Sequence, residues 1–134
     1  MRLLAAREHS QQELKRKLLR HHPVSAVEMA LQQLQEQGLQ SDERFAEVYV
    51  RLRRAKGYGP LRIKSELRER GLDSVLIQNV LSVYDDWKEL MLAVAAKKFG
   101  SNPCENQKER AKRGRFLSAR GFSSCLINDY LFGM

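Results

Sequence analysis

A segment of twelve residues occurs twice in this chain, with the second copy 50 positions after the first. Residues 70–81 (RGLDSVLIQNVL) return as residues 120–131 (RGFSSCLINDYL), and Arg, Gly, Ser, Leu, Ile and Leu keep their places. A repeat of this length in a short helical chain predicts stacked supersecondary units. Such arrays offer a partner an extended side surface, so the repeat favours a binding protein over an enzyme with one pocket.

Helical signals dominate the sequence, and the alternation typical of strands is nearly absent. Ser10 and Glu13 are expected to form a capping box, and Ser25 and Glu28 a second one. Pro60 suits the first position of a helix. Apolar residues recur at helical spacing and predict the core. After the turn at residue 41, the predicted core residues are Phe45, Val48, Tyr49, Leu52, Ile63 and Leu67.

These signals predict an all-α protein of tandem three-helix repeats that form an elongated, curved array. Leu14 and Leu18 match Ile63 and Leu67 at an offset of 49, which extends the repeat toward the start of the chain. The predicted repeats span residues 1–56, 57–100 and 101–134, and the third of them has two helices only.

Positive charge dominates the composition, with 24 Lys and Arg against 16 Asp and Glu and a net charge of +8. Residues 51–70 and residues 97–120 each carry eight cations against two acids, whereas residues 26–50 carry one cation against five acids. Two basic patches at equivalent places predict contact with a phosphate backbone or a filament groove. The alternative is a solvated helix face that gives solubility only. The candidate binding residues are Arg51, Arg54, Lys56, Arg62, Lys64, Arg68, Lys108, Lys112, Arg113 and Arg115.

The tetrapeptide Gly57-Tyr58-Gly59-Pro60 lies inside the first basic patch. Glycine permits unusual backbone angles and proline fixes the start of the next helix, so a shaped corner between units is expected. Tyr58 is also a candidate to stack on a base or on a partner side chain. As a phosphate loop the tetrapeptide is a weak match, because the Walker Lys-Ser/Thr pair is missing.

The sequence offers no arrangement typical of catalysis or metal binding, so we expect neither an enzyme nor a cofactor. His9, His21 and His22 do not form a ligand set, and Cys104 and Cys125 lack the spacing of a zinc site. No stretch approaches the roughly 20 apolar residues of a membrane span, and the start of the chain lacks a signal-peptide layout. A cytoplasmic protein is therefore expected.

Three stretches of the sequence resemble the RecX family. The most specific combines residues 41–46 (SDERFA) with residues 53–71 (RRAKGYGPLRIKSELRERG). Residues 4–18 resemble the family's first helices, and residues 115–122 resemble its third repeat. The residues that carry this motif or its structure are Asp42, Phe45, Gly57, Tyr58, Gly59, Pro60, Ile63, Leu67, Gly71 and Gly121.

The resemblance implies an all-helical monomer that binds RecA recombinase and the RecA–single-stranded DNA filament. It implies inhibition of recombinase and ATPase activity, and a place in recombination, DNA repair and the SOS response. One residue departs from the repeat pattern, because Arg113 stands where the second repeat has Ile63. The helix around Arg113 is therefore expected to be less buried than its counterpart.

Two other functions fit a basic helical array. A direct DNA-binding module, acting as a regulator of the helix-turn-helix type, is the first alternative, since such proteins also use three-helix units. A sequence-reading factor concentrates its base contacts on one short helix, whereas the cations here spread over two repeats. The second alternative is a structural array that binds an acidic protein and no nucleic acid.

Overall fold

The computed structural model describes residues 10–20, 22–36 and 41–133. Regular structure in this part of the chain is helical throughout, which confirms the all-α prediction. None of these helices has the length and apolar character that crossing a bilayer requires. His9, His21 and the start of the 4–18 stretch lie outside the described residues. The helices are α1 (Gln11–Leu19), α2 (Val24–Glu36), α3 (Asp42–Ala55), α4 (Pro60–Glu69), α5 (Ser74–Ser82), α6 (Trp87–Phe99), α7 (Gln107–Ala119) and α8 (Ser124–Phe132).

The start of α1 is the predicted capping box. Ser10 Oγ accepts a hydrogen bond from Glu13 N at 3.2 Å, and Glu13 Oε1 accepts one from Ser10 N at 3.3 Å. The second predicted capping box is wrong, because α2 already includes Ser25 in its first turn. The helix begins at Val24 instead, and the carbonyl oxygen of the preceding Pro23 accepts from Val27 N at 3.1 Å.

The chain packs into two compact units. The first contains the described residues up to Arg51 together with Glu66–Val80. Helices α1 and α2 supply a core that consists of Leu14, Val27, Leu31 and Leu34, with Leu18 packed against it.

Helix α3 shifts its buried stripe from the predicted one. Phe45, Ala46 and Val50 are buried, whereas Leu52, expected in the core, is 55% exposed. Ala46 and Val50 are four residues apart and face the core on the same side of the helix. Position 52 lies two residues further on, about half a turn around the helix, and therefore faces solvent. The prediction for Leu52 is therefore wrong.

The second unit contains Leu52–Ser65 and the described residues from Leu81 onward. Helices α6, α7 and α8 supply its core. The fully or nearly buried members of this core are Met91, Ala95, Leu117, Phe122 and Ile127. Aromatic and aliphatic side chains close around them, among them Leu90, Val94, Phe99 and Phe116.

One kind of joint occurs once in each unit. In the first unit, Ser10 Oγ, just before α1, donates to the Arg70 carbonyl oxygen at 3.2 Å. In the second, Gly59 N, just before α4, donates to the Arg120 carbonyl oxygen at 2.7 Å. Arg70 and Arg120 are equivalent residues of the twelve-residue repeat. The sequence repeat is therefore a structural repeat, in which a helix start rests on an Arg-Gly turn.

The joint in the second unit brings two backbones into direct contact. Leu61 N donates to the Gly121 carbonyl oxygen at 2.9 Å. A Cβ atom on Gly59 would lie 2.6 Å from that carbonyl group, and a Cβ atom on Gly121 would collide with the backbone of Arg62. Gly121 also has φ +97°, a conformation that side chains with a Cβ atom rarely adopt. Both positions therefore require glycine, because the two backbone segments approach too closely for a Cβ atom.

Candidate interaction surface

Cations recur on three equivalent helices. Helices α1, α4 and α7 follow one another at offsets of about 50 residues, and each carries at least three Lys or Arg side chains. Helices α2, α5 and α8 carry neither Lys nor Arg. Helices α3 and α6 also carry at least three Lys or Arg side chains each. Among the described helices, cations therefore recur on α1, α4 and α7 without being confined to them, and they are missing from α2, α5 and α8.

Most of the predicted binding residues reach the surface. Lys64 is half-buried. Arg62 is exposed, and its Nη1 atom donates to the Ala119 carbonyl oxygen at 3.0 Å, which fixes the side chain beside the joint of the second unit. The exposed members of the set are Arg51, Lys56, Arg62, Arg68, Lys108, Lys112 and Arg115.

Arg54 is held in place within the second unit. Its Nη2 atom donates to both carboxylate oxygens of Asp86, at 2.7 and 2.9 Å. Its guanidinium carbon lies 4.1 Å from the Tyr84 ring centroid and 4.5 Å from that of Trp87. Only 14% of the side chain is exposed. The carboxylate and two rings therefore hold this cation, which offers little of its charge to a macromolecular surface.

Arg113 is buried, with 5% of its surface exposed. Its Nε atom donates to Glu109 at 2.9 Å, and its Nη1 atom donates to the Asn102 carbonyl oxygen and to the Tyr130 hydroxyl, both at 2.9 Å. The hydrogen bond to Glu109 is the main cause that raises the pKa of Arg113 above its ordinary value. This cation serves the interior of α7 and α8, and is not available as a surface contact.

The expectation that the helix around Arg113 is less buried than its counterpart is wrong. Arg113 is buried like Ile63, its equivalent, which has 0% exposure. Tyr130 likewise stands where the second repeat has Val80. Two apolar positions of one repeat are thus replaced in the next by an Arg and a Tyr that bond to each other, which satisfies the donors that burial would otherwise leave without partners.

Arg113→Met should lower the melting temperature by roughly 5–10 °C, because Glu109, Tyr130 and the Asn102 carbonyl group each lose a partner. Thermal unfolding followed by circular dichroism measures this. Arg115→Met, two positions along the same helix on an exposed side chain, is the control and should change the melting temperature little. Equal melting temperatures for both variants would contradict a structural role for Arg113.

Tyr58 lies among three arginines of the second unit. The guanidinium carbons of Arg53, Arg62 and Arg120 lie 3.8, 4.5 and 4.8 Å from its ring centroid. Arg120 also donates from Nη1 to the Lys56 carbonyl oxygen at 2.9 Å. The ring therefore contacts cations of its own chain, as a corner residue does. The sequence prediction omitted Arg53 and Arg120, although the repeat already marked Arg120 as a turn residue.

The backbone amides of the Gly57–Pro60 corner are engaged as well. Gly59 N bonds to Arg120 and Leu61 N to Gly121, so the donors that a phosphate loop would use are occupied by carbonyl oxygens. Gly57 has φ +88°, and a Cβ atom there would lie 2.9 Å from a methyl group of Val94. The corner is built to join helices, with Pro60 as the first residue of α4.

The other motif residues lie at structural positions. In the first unit, Asp42 Oδ1 accepts from Gln11 N at 2.7 Å, and the rings of Phe45 and Tyr49 stack with centroids 5.7 Å apart. Leu67 is fully buried, and Gly71 has φ +82° at the turn after α4. Across residues 10–20, 22–36 and 41–133, no group of three His, Cys, Asp or Glu side chains is placed to hold a metal ion.

Family models and relatives agree on the class of protein. Residues 41–81 match the model of the second three-helix domain of RecX, and residues 85–131 match that of the third. These segments contain α3–α5 and α6–α8, so tandem three-helix domains are confirmed. The matched segments begin with α3 and α6, whereas the repeats predicted as residues 1–56 and 57–100 end with these two helices.

Known relatives match nearly the whole chain. The chain is 44% identical to a regulatory protein RecX of Pseudomonas fluorescens, over 99% of this chain and 87% of that protein. It is 41% identical to a regulatory protein RecX of Halorhodospira halophila, over 92% of this chain and 78% of that protein.

Solved structures show the same fold. A crystal structure of regulatory protein RecX superimposes with a TM-score of 0.82 at 24% identity, over 98% of this chain and 67% of that one. RecX from Lactobacillus salivarius gives a TM-score of 0.82 at 23% identity, over 97% of this chain and 88% of that one. With its two matched domains, its relatives and this fold, the chain belongs to the RecX family of regulatory proteins.

Proposed function

We propose that this protein binds RecA recombinase and the RecA–single-stranded DNA filament, and that it inhibits recombinase and ATPase activity there. It acts as a cytoplasmic monomer in recombination and DNA repair. The direct support is family membership, because the relatives are regulatory proteins. The residues add a net charge of +8, which favours a polyanionic partner.

The recurrence of cations on α1, α4 and α7 carries this proposal. A polymer such as a nucleoprotein filament repeats its charges along its axis, and a repeated basic element suits such a partner. Lys64, Arg68, Lys108 and Lys112 belong to two of these helices, and Arg68, Lys108 and Lys112 are exposed. Lys and Arg side chains at the surface contact phosphate or carboxylate groups without reading a base sequence.

The helix-turn-helix alternative finds less support in the described helices. A recognition helix enters the major groove and needs cations or amides for base edges and phosphates. Helix α5 is the last helix of the first matched domain, and α8 is the last helix of the second. They carry Gln78, Asn79 and Asn128 but no Lys or Arg. A helix without cations is a poor choice for the strongly negative groove, so we do not favour sequence-specific DNA binding.

We expect the wild-type protein to lower DNA-dependent ATP hydrolysis by RecA and to bind single-stranded DNA in a salt-dependent, sequence-indifferent manner. If about four phosphates are neutralised, the log–log slope of affinity on salt should be near −3, so fourfold more salt should weaken binding about 50-fold. Filament binding should add a protein contact that salt affects less. The measurements are ATP hydrolysis and a titration of RecA-coated and bare DNA over a salt series.

Unchanged ATP hydrolysis together with no filament binding would contradict the proposed function. A strong preference for one duplex sequence would instead support the helix-turn-helix alternative. A salt response that is flat on both coated and bare DNA would remove electrostatic attraction as the source of affinity.

A further inference from the structure

A groove of about 420 Å³ lies in the second unit, between the end of α3, helix α6 and the end of α7. Its volume is in the range of pockets that bind a ligand group. Cations line it from all three elements, and none of the described residues in its lining is acidic. The cationic members of the lining are Arg54, Lys56, Lys97, Lys98 and Arg120.

Charge alone does not describe this groove, because apolar side chains line it too. Leu90 and Val94 are half-buried, and Ala93 is exposed on the same helix. The aromatic side chain of the lining, Phe116, already packs edge-on against Phe99 at 5.3 Å and lies 5.2 Å from the guanidinium carbon of Arg120. The apolar surface left for an occupant is therefore mainly aliphatic.

One cation of the groove also lacks a complete set of acceptors. Asp86 binds the Nη2 atom of Arg54, but the buried Nη1 atom has no hydrogen-bond partner among the described residues. The protein itself encloses that atom, so an occupant of the groove does not reach it and the atom adds nothing to the affinity for one. Asp86 offsets the charge of Arg54, so the excess charge of the groove comes from the other four cations.

We propose that this groove binds an acidic peptide segment of a partner protein, with one large apolar side chain seated between α6 and α7. Carboxylates of the segment meet the lysines and Arg120, and the apolar side chain covers Leu90, Ala93 and Val94. A phosphodiester strand fits less well, because it has no long aliphatic side chain to fill the space beside Leu90 and Val94 and because a base requires an open aromatic face. This inference goes beyond the filament proposal and does not depend on it.

Fluorescence anisotropy with a labelled synthetic peptide tests the inference. The peptide consists of Asp and Glu around one Leu, and a matched peptide has Ser in place of Leu. We expect the Leu peptide to bind about tenfold more tightly, as burial of one aliphatic side chain predicts. Labelled oligothymidylate is the nucleic-acid probe.

Ala93→Trp fills the groove without changing its charge and should weaken the Leu peptide about tenfold. Ala96→Trp is the matched control, since Ala96 is an exposed alanine of the same helix outside the lining, and it should change the affinity little. Lys97→Glu, on an exposed side chain, should weaken both peptides. Circular dichroism of the variants reports whether the helices stay intact.

The inference is overturned if the two peptides bind equally, if neither binds at low salt, or if Ala93→Trp binds the Leu peptide like the wild type. It is also overturned if Ala93→Trp weakens oligothymidylate and the peptide alike, since the groove would then bind nucleic acid. ATP hydrolysis by RecA, measured with the same variants, separates these results from the filament proposal. Inhibition by the wild type without any peptide binding would leave the filament proposal standing alone.

Discussion

Replacing Gly121 with alanine is expected to cost on the order of 3 kcal/mol or more of the free energy of unfolding. The residue combines a positive φ with a collision between the added Cβ atom and the backbone of Arg62. Backbone atoms on both sides leave no flexible side chain to move away. A domain of this size has a total stability of about 5–15 kcal/mol, so the variant should unfold at a much lower urea concentration. Urea titration followed by circular dichroism measures the loss.

Two other glycines separate the causes of that loss. Gly100 has φ +77° with nothing near its would-be Cβ atom, so Gly100→Ala measures backbone strain and should cost about 1 kcal/mol. Gly59 has no positive φ but approaches the Gly121 carbonyl group, so Gly59→Ala measures the collision. If Gly121→Ala cost no more than Gly100→Ala, the close backbone contact of this joint would be contradicted.

Reversing four cations on α4 and α7 should weaken binding to the RecA filament and to single-stranded DNA on the order of 100-fold at moderate salt. The variant replaces Lys64, Arg68, Lys108 and Lys112 with Glu. Each loss removes a charge that the proposed function assigns to phosphate or carboxylate contact, and each new carboxylate adds repulsion. The salt slope should become shallow. Titration over a salt series measures both quantities, and circular dichroism should show unchanged helicity.

Two milder double variants with the same change in net charge show whether the position of the cations on the basic helices matters for binding. Lys108→Gln with Lys112→Gln lowers the net charge by two, and so does Gln33→Glu with Gln78→Glu on exposed sites of α2 and α5. The lysine pair should weaken binding several-fold more than the glutamine pair. Equal effects would show that the basic helices act only through net charge, and unchanged affinity in the fourfold variant would identify them as solvated faces.

Local signals predicted much of the fold. The capping box at Ser10, the helix start at Pro60 and the buried positions Ile63 and Leu67 all follow from residue types and spacing, and the structure contains each of them. The predictions for Leu52 and Ser25 were wrong for different reasons. Periodicity shows that a helix has an apolar face, but packing selects among neighbouring stripes of residues, and it leaves Leu52 exposed. Ser25 was wrong as a cap because α2 already begins at Val24.

The candidate surface was harder to predict, because a sequence shows a cation but not its partner. Arg54 is neutralised by Asp86, 32 positions later, and no local pattern links them. Arg113 was counted as a surface cation for the same reason. Here the sequence did hold a signal, since the repeat places Arg113 and Tyr130 at the positions of Ile63 and Val80. Comparison of the two positions together would have predicted a buried polar pair.

The way the chain divides into its two units has a consequence for how it can be cut and how it is synthesised. The first unit needs Glu66–Val80 and the second needs Leu52–Ser65, so the two are interlaced along the sequence and no single cleavage separates them. Because Gly59 bonds to Arg120, the second unit closes only after about 60 further residues have left the ribosome. Until then the Gly57–Pro60 corner lacks its hydrogen-bond partner Arg120, and a fragment that ends at α5 never acquires this partner.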